Sequence, residues 1–405
     1  MNAADNAWVL ASSALVLLMT PGLAMFYGGM TRQKNVLSTM MHSFFLMGLA
    51  SIIWLFYGFS LAFGPDAFGG LVGSLKHFAL AGVGAEVWPD QTIPGTSFMI
   101  FQCMFAVITP ALITGAFAER MKFSAFIIFM ILWMTFVYCP VAHWVWGPDG
   151  WLSKMGALDF AGGTVVHINS GFAALACALV VGKRKGYPTS PMIPHNLTLT
   201  LLGAALLWFG WFGFNAGSAL KADAGASMAF VVTHMATAAA ALTWVFAEWI
   251  IKGKPTTLGI ASGAVAGLVA ITPASGYVGP VSSVIIGGVA GVVCYLAVLA
   301  KAGLGYDDSL DVVGVHGIGG TWGALATGLF ASKAINSTAA DGLFFGNPGQ
   351  LWIQLVAVVS TILYTFILSI IILYIVKAIV GLRVTEEEEE VGVDTSAHGE
   401  VGYTF

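Results

Sequence analysis

Charge is what this sequence has least of. Only 9% of its 405 residues are Asp, Glu, Lys or Arg, whereas soluble domains carry about 25%. A water-solvated globule is therefore excluded, and the chain reads as an integral membrane protein. Cysteine is also scarce. Cys103, Cys139, Cys177 and Cys294 each lie inside an apolar run without metal-ligand spacing, so they read as core residues, with neither a disulfide framework nor a metal site. The stretch Met1–Asn6 has no basic residue ahead of the first apolar run, which reads as a retained span rather than a signal peptide. There is no phosphate-binding loop to suggest ATP-driven pumping and no HExxH metal motif. The potassium-channel filter is missing too, and Ser275-Gly-Tyr-Val-Gly279 is only superficially like it.

What is present is a series of apolar segments, with most of the 50 glycines inside them. A spanning helix needs about 20 mostly apolar residues. Segments near that length are 7–29, 37–63, 97–118, 123–145, 161–182, 196–218, 227–251, 257–272, 278–300, 312–331 and 350–380. The expected fold is thus all-α, with eleven transmembrane helices. Alternating the loops then puts 12 basic residues on one side, among them Arg32, Lys34, Arg120, Lys122 and Lys183 to Lys185. Only Lys76, Lys154, Lys221 and Lys333 fall on the other. Basic residues favour the cytoplasmic side, so the N-terminus is expected outside and the C-terminus in the cytoplasm. The expected organisation is a membrane domain over 1–380 and a cytoplasmic tail over 381–405. In the tail, the run Glu386 to Glu390 reads as a solvated spacer.

Ionisable groups within a membrane are expensive and read by default as functional. Two stretches carry them. One is Asp159-Phe-Ala-Gly-Gly-Thr-Val-Val-His167-Ile-Asn-Ser-Gly171; the other is Asp311-Val-Val-Gly-Val-His316-Gly-Ile-Gly-Gly320. Each histidine is followed by Gly four residues on, and each has an upstream Asp, at different spacings. The pattern suggests an inverted 5+5 repeat, about 7–182 and 196–331, with an extra helix at 350–380. Repeats with an odd number of spans invert, as in many transporters. Asp159 and Asp311 would start their helices from opposite faces, placing carboxylates at helix N-termini. At 1.5 Å per residue, His167 and His316 would then lie roughly 12 and roughly 7 Å inward, close enough to meet. Neutral imidazole has one donor and one acceptor nitrogen, so an adjacent pair can relay a proton or line a polar track. His42, His143 and His234 read as interhelical hydrogen-bond partners, and His195 as lying at the start of a helix. Ser170 lies three residues from His167 in one helix without a nucleophile turn, a weak basis for a hydrolase.

These residues resemble the signature of ammonium transporters, the ammonium/methylammonium permease branch of the ammonium transporter/Rhesus superfamily. The likeness continues through Gly115-Ala-Phe-Ala-Glu-Arg120, Trp211-Phe-Gly-Phe-Asn-Ala-Gly-Ser218, Thr272-Pro-Ala-Ser-Gly-Tyr-Val-Gly279, Val313-Gly-Val-His-Gly317 and the tail from Gly381 to His398-Gly-Glu400. It implies a multi-pass protein of the cell membrane forming homotrimers with one pore per subunit. The substrate would be ammonium or ammonia, with methylammonium as an analogue and no cofactor. Phe101, Trp146 and Ser218 would recruit ammonium at the outer mouth, with Asp159 supporting that site. Phe105 and Phe214 would close it, and His167 and His316 would be the pore pair. The tail would couple subunits and meet PII-type signalling proteins. An ammonium sensor signalling through its tail, or a passive channel for ammonia or another neutral gas, are the alternatives.

Overall fold

The structure, a computed structural model, describes residues 1–404. Among these residues the regular elements are all helical, with only isolated bridges between extended segments. Eleven long rods make up the body. They are α1 (Ala3–Met30), α2 (Gln33–Phe63), α3 (Gly95–Phe117), α4 (Phe123–Met155, broken at Gly147–Gly150), α5 (Gly163–Val181) and α6 (Leu197–Gly217). They continue with α7 (Ala224–Lys252), α8 (Thr257–Ile271), α9 (Pro280–Leu304), α10 (the π turn Val313–Ile318 running into Gly319–Phe330) and α11 (Pro348–Val380). Among the described residues, nine of them are apolar and long enough to cross a membrane by length and composition. The shorter two are α8 and α10. The observed bounds fall within a few residues of the apolar segments read from the sequence.

Local chemistry sets these bounds. Asn2, Asn196, Asp223 and Thr256 accept backbone N–H groups at the starts of α1, α6, α7 and α8, satisfying donors that a helix leaves unpaired. Left-handed glycines stop α7 at Gly253 and α9 at Gly305. Small residues then let the rods approach. A β-carbon on Gly203 of α6 would lie 2.2 Å from the Phe26 nitrogen of α1, so this pair packs backbone to backbone.

The two ends of the bundle differ. At one, residues 64–94 form a folded loop; we call this the loop end. The other, the tail end, gathers most of the buried charges. Arg32 binds Glu119 through its backbone N–H at 2.7 Å and its Nε at 2.6 Å. Arg184 grips Asp307 with two nitrogens at 2.9 Å. The buried Arg120 guanidinium donates to the carbonyls of Ala116, Ala118, Gly182 and Asp307. These bonds tie α1, α3, α5 and the α9–α10 link into one collar.

The tail folds back onto this collar: Glu386, Glu387 and Glu390 stay exposed, as expected of a solvated run, but Glu389 is buried and anchors it. Glu386–Val391 forms a short helix, α12, opened by a Thr385–Glu388 capping box. Within it Glu389 is only 2% exposed. Its carboxylate accepts from Arg383 Nη2 at 2.6 Å and from the Lys185 backbone N–H at 2.7 Å. Beyond it, Asp394 accepts the N–H groups of Leu37 and Ser38 at 2.9 and 2.7 Å, capping the start of α2. A run of like charges reads as solvated because repulsion keeps it apart; here the nearby Arg383 and the distant Lys185 compensate it.

Candidate functional site

A cavity of about 520 Å³ opens at the loop end, and its wall includes Trp88, Gln102, Phe105, Trp146, Phe160 and Ser218. The Trp146 indole N–H donates to the Asp159 carbonyl at 3.0 Å, which fixes the ring. The Ser218 hydroxyl donates to the Phe214 carbonyl at 2.8 Å, leaving its oxygen as an acceptor. Phe105 stands edge-on to Trp146, 5.6 Å between centroids. It closes against Phe214 at 4.4 Å, so Phe105 floors the cavity and Phe214, which lines the space within, lies against it. Trp146, Ser218, Phe105 and Phe214 therefore come together as the sequence suggested. Phe101 does not join the wall. Its side chain is 0% exposed, lies under Phe105 at 5.1 Å and fills the space over Gly217. Gln102, its neighbour along α3, reaches the cavity instead.

Asp159 is 7% exposed and turned away from the cavity. Its carboxylate accepts the N–H groups of Gly162, Gly163 and Thr164 at 2.8, 2.6 and 2.8 Å and the Thr164 hydroxyl. Thus it caps α5 with several donors at once. Its influence on the cavity is carried by its backbone carbonyl, which holds Trp146, and by the field of a carboxylate just behind the wall.

Beyond the phenyl rings lies a second, small cavity of about 10 Å³, walled by Phe26, Ile108, Leu112, Trp211, His167 and His316 among others. That is about the space of one water. The two imidazoles face each other with Nδ1 atoms 3.3 Å apart and rings 5.3 Å apart, inclined by 27°. His167 Nε2 is buried without a protein partner. Trp211 stacks on His167 at 5.4 Å. Its indole N–H is bound to Thr272 Oγ1 at 2.9 Å, so Trp211 offers the lumen its ring rather than its donor.

Both histidines sit on π turns, Gly163–Ile168 and Val313–Ile318, at the starts of their helices. Such turns are rare and recur at functional sites. The backbones behind them nearly touch: a β-carbon on Gly171 would lie 2.2 Å from the Gly317 nitrogen. Glycine is required there if the imidazoles are to meet.

One expectation needs correcting. Asp311 does not cap the second helix; its carboxylate pairs with Lys301 Nζ at 2.5 Å. Asp308 takes the capping role, accepting the Val313 N–H at 2.7 Å. It precedes His316 by eight residues, as Asp159 precedes His167. This equal interval is visible in the sequence and is the sharper signal. Asp308 is wholly buried, its Oδ1 has no partner, and burial raises its pKa to about 6. Other site residues carried weaker signals. Trp211 lay within the Trp211–Ser218 stretch, whereas Gln102, inside α3, and Trp88, in the 64–94 loop, were indistinguishable from other polar and aromatic residues.

Known proteins match this architecture throughout. The model of the Ammonium Transporter Family matches residues 7–403. An ammonium transporter of Bacillus subtilis is 53% identical over 405 residues, covering 100% of this chain and 99% of that protein. The crystal structure of Saccharomyces cerevisiae Mep2 superposes with a TM-score of 0.91 at 37% identity, over 96% of this chain and 88% of that one. A structure described as a sensor Amt protein gives 0.90 at 32% identity, over 98% of each chain. A helical bundle with an aromatic-floored mouth above paired histidines, matched along its whole length by these proteins, belongs to the ammonium transporter family.

Proposed function

We propose that this transporter recruits ammonium at the loop-end cavity, strips a proton from it and passes ammonia between His167 and His316. The observation that carries this reading is the pair of facing imidazoles in an otherwise apolar lumen about one water wide. Ammonium and potassium are similar in size and charge, so sieving separates them poorly. A full charge at the bilayer centre costs at least about 3 kcal/mol. Ammonium can shed its proton and cross as a neutral molecule; potassium cannot.

The roles follow from placement. The Trp146 face and Ser218 oxygen attract and accept the cation, with a cation–π contact contributing about 1–2 kcal/mol once desolvated. Phe101 supports Phe105 from beneath. Asp159 holds Trp146 and adds its field. Phe105 and Phe214 part to admit substrate, and the histidines accept its hydrogen bonds and relay the proton, making transport electrogenic. All eleven rods cross the membrane in this proposal, as inverted repeats plus α11, with the loop end outside and the tail in the cytoplasm. The subunits form a homotrimer, and the tail, docked on the collar, is where a PII-type protein acts.

The test is solid-supported-membrane electrophysiology on purified protein in liposomes. An ammonium pulse gives a current and a potassium pulse none, and replacing both histidines with leucine abolishes the ammonium current. Undiminished ammonium-specific currents in the double variant would reject the relay. A sensor that binds ammonium without flux would give no steady current in the unmodified protein.

A further inference from the structure

The last long helix, α11, lies outside the two proposed repeats and contributes no side chain to the loop-end cavity wall or to the narrow lumen. It nevertheless carries a buried amide with a specific set of partners. Gln354 is 1% exposed. Its Oε1 accepts the Leu158 N–H at 2.7 Å, and its Nε2 donates to the Leu158 carbonyl at 2.8 Å. The side chain therefore reads both backbone groups of one residue, as a neighbouring strand would. The second Nε2 hydrogen goes to the Ala324 carbonyl of α10 at 3.0 Å. One turn away, Gln350 Nε2 donates to the Gly156 carbonyl at 3.0 Å and to Gln354 Oε1 at 3.3 Å.

Leu158 immediately precedes Asp159, and on the other side Phe160 N–H is held by the Pro273 carbonyl at 3.1 Å. Asp159 thus hangs between two fixed points. From it the chain of contacts runs outward through its carbonyl to the Trp146 indole N–H and inward through its carboxylate to the first turn of α5. A glutamine inside an apolar helix is costly unless fully bonded. This one is fully bonded, and its partners lie on the segment that sets the cavity wall.

We infer that Gln354 is a positioning residue for ammonium recruitment: it registers the 156–160 segment so that Asp159 presents its carbonyl to Trp146. The inference rests on the recruitment reading above. It assigns α11 a task in the affinity of the outer site and not in the passage between the histidines.

The measurement is the ammonium dependence of the current, separating the half-saturating concentration from the maximal current. Gln354→Leu removes every bond at similar volume. Losing a hydrogen-bonded clamp of this kind should raise the half-saturating concentration about tenfold, with the maximal current kept within about a factor of two. Gln354→Glu, held by burial as the neutral acid, keeps the acceptor for Leu158 N–H and one donor in place of two, so it serves if the leucine variant does not fold; a smaller rise in the same parameter is expected. In a Trp146→Phe background, which has no indole N–H, Gln354→Leu should add less than about twofold, since the contact it serves is gone.

An unchanged half-saturating concentration overturns the inference. So does a fall in maximal current alone, or an effect of undiminished size in the Trp146→Phe background. If Trp146→Phe and Trp146→Leu are themselves silent, the recruitment reading fails first, and the two failures are told apart.

Discussion

At the residue scale the site is built by backbone proximity as much as by side chains. Gly171 meets the Gly317 backbone because Gly171 has no side chain: a β-carbon there would lie 2.2 Å from the Gly317 nitrogen. Gly171→Ala should push α5 and α10 apart, lowering the thermal midpoint and removing most of the ammonium current. Gly48→Ala, where a β-carbon meets nothing within 4 Å, should leave both unchanged in the same melting and current measurements. Asp308 offers a pH test. Its pKa is raised above the ordinary carboxylate value chiefly by burial, with Lys301 opposing and Asp311 adding to the rise. A carboxyl whose folded pKa is raised favours the folded state most below the unfolded value near 4, and that contribution fades as pH rises through about 6. Asp308→Asn keeps an acceptor for Val313 but cannot ionise. The stability difference between the native protein and this variant should therefore favour the native protein more at pH 5 than at pH 8, by about 1.4 kcal/mol, because about one pH unit of the rise from near 4 to about 6 lies between those pH values. Thermal melts at the two pH values measure it.

At the element scale, the helices were almost fully legible in the sequence, and the reason is physical. A membrane-spanning helix satisfies its own backbone and must be apolar for about 20 residues, so hydropathy alone locates it. The π turns beneath the histidines were not legible, because hydropathy and helix period do not separate a π turn from an α turn. Phe101 shows the same limit: its four-residue spacing from Phe105 puts both on one face, but the absent side chain of Gly217 decides which ring fills the space behind. Trp211 is held by a buried polar cluster, Thr272, Asn215 and Thr233, drawn from α6, α7 and the end of α8. Thr272→Val should release the indole and reduce the maximal current several-fold, while Thr272→Ser keeps it near the native level. Currents at saturating ammonium compare the two.

At the scale of the whole molecule, the tail is integral to the tail-end collar. The sequence displays an acidic run but not its partners, since Lys34, Lys185 and Arg383 are brought together only by folding. Buried pairs of this sort are strongly destabilised when one partner is removed, whereas exposed pairs such as Lys185 with Glu390 contribute little. Glu389→Ala should thus free the tail, and limited proteolysis should cleave it near residues 386–396 many times faster than in the native protein. Glu387→Ala, which removes no ion pair found in the structure, should not change the cleavage rate.

The Nδ1-to-Nδ1 contact between His167 and His316 has a directional consequence. A hydrogen bond between two such atoms needs one to donate and the other to accept. The donating ring, when neutral, has a bare Nε2; the accepting ring must carry its proton on Nε2. Two rings placed almost symmetrically are thereby made opposite in character, one end of the pair ready to take a proton and the other ready to give one. A proton entering at the bare end and leaving at the far end inverts the arrangement. The pair then faces the wrong way until the rings turn or protons return. If the pair relays protons as proposed, each transfer would leave a mark on the pore, and the time needed to erase it would set an upper bound on turnover that no widening of the mouth could lift.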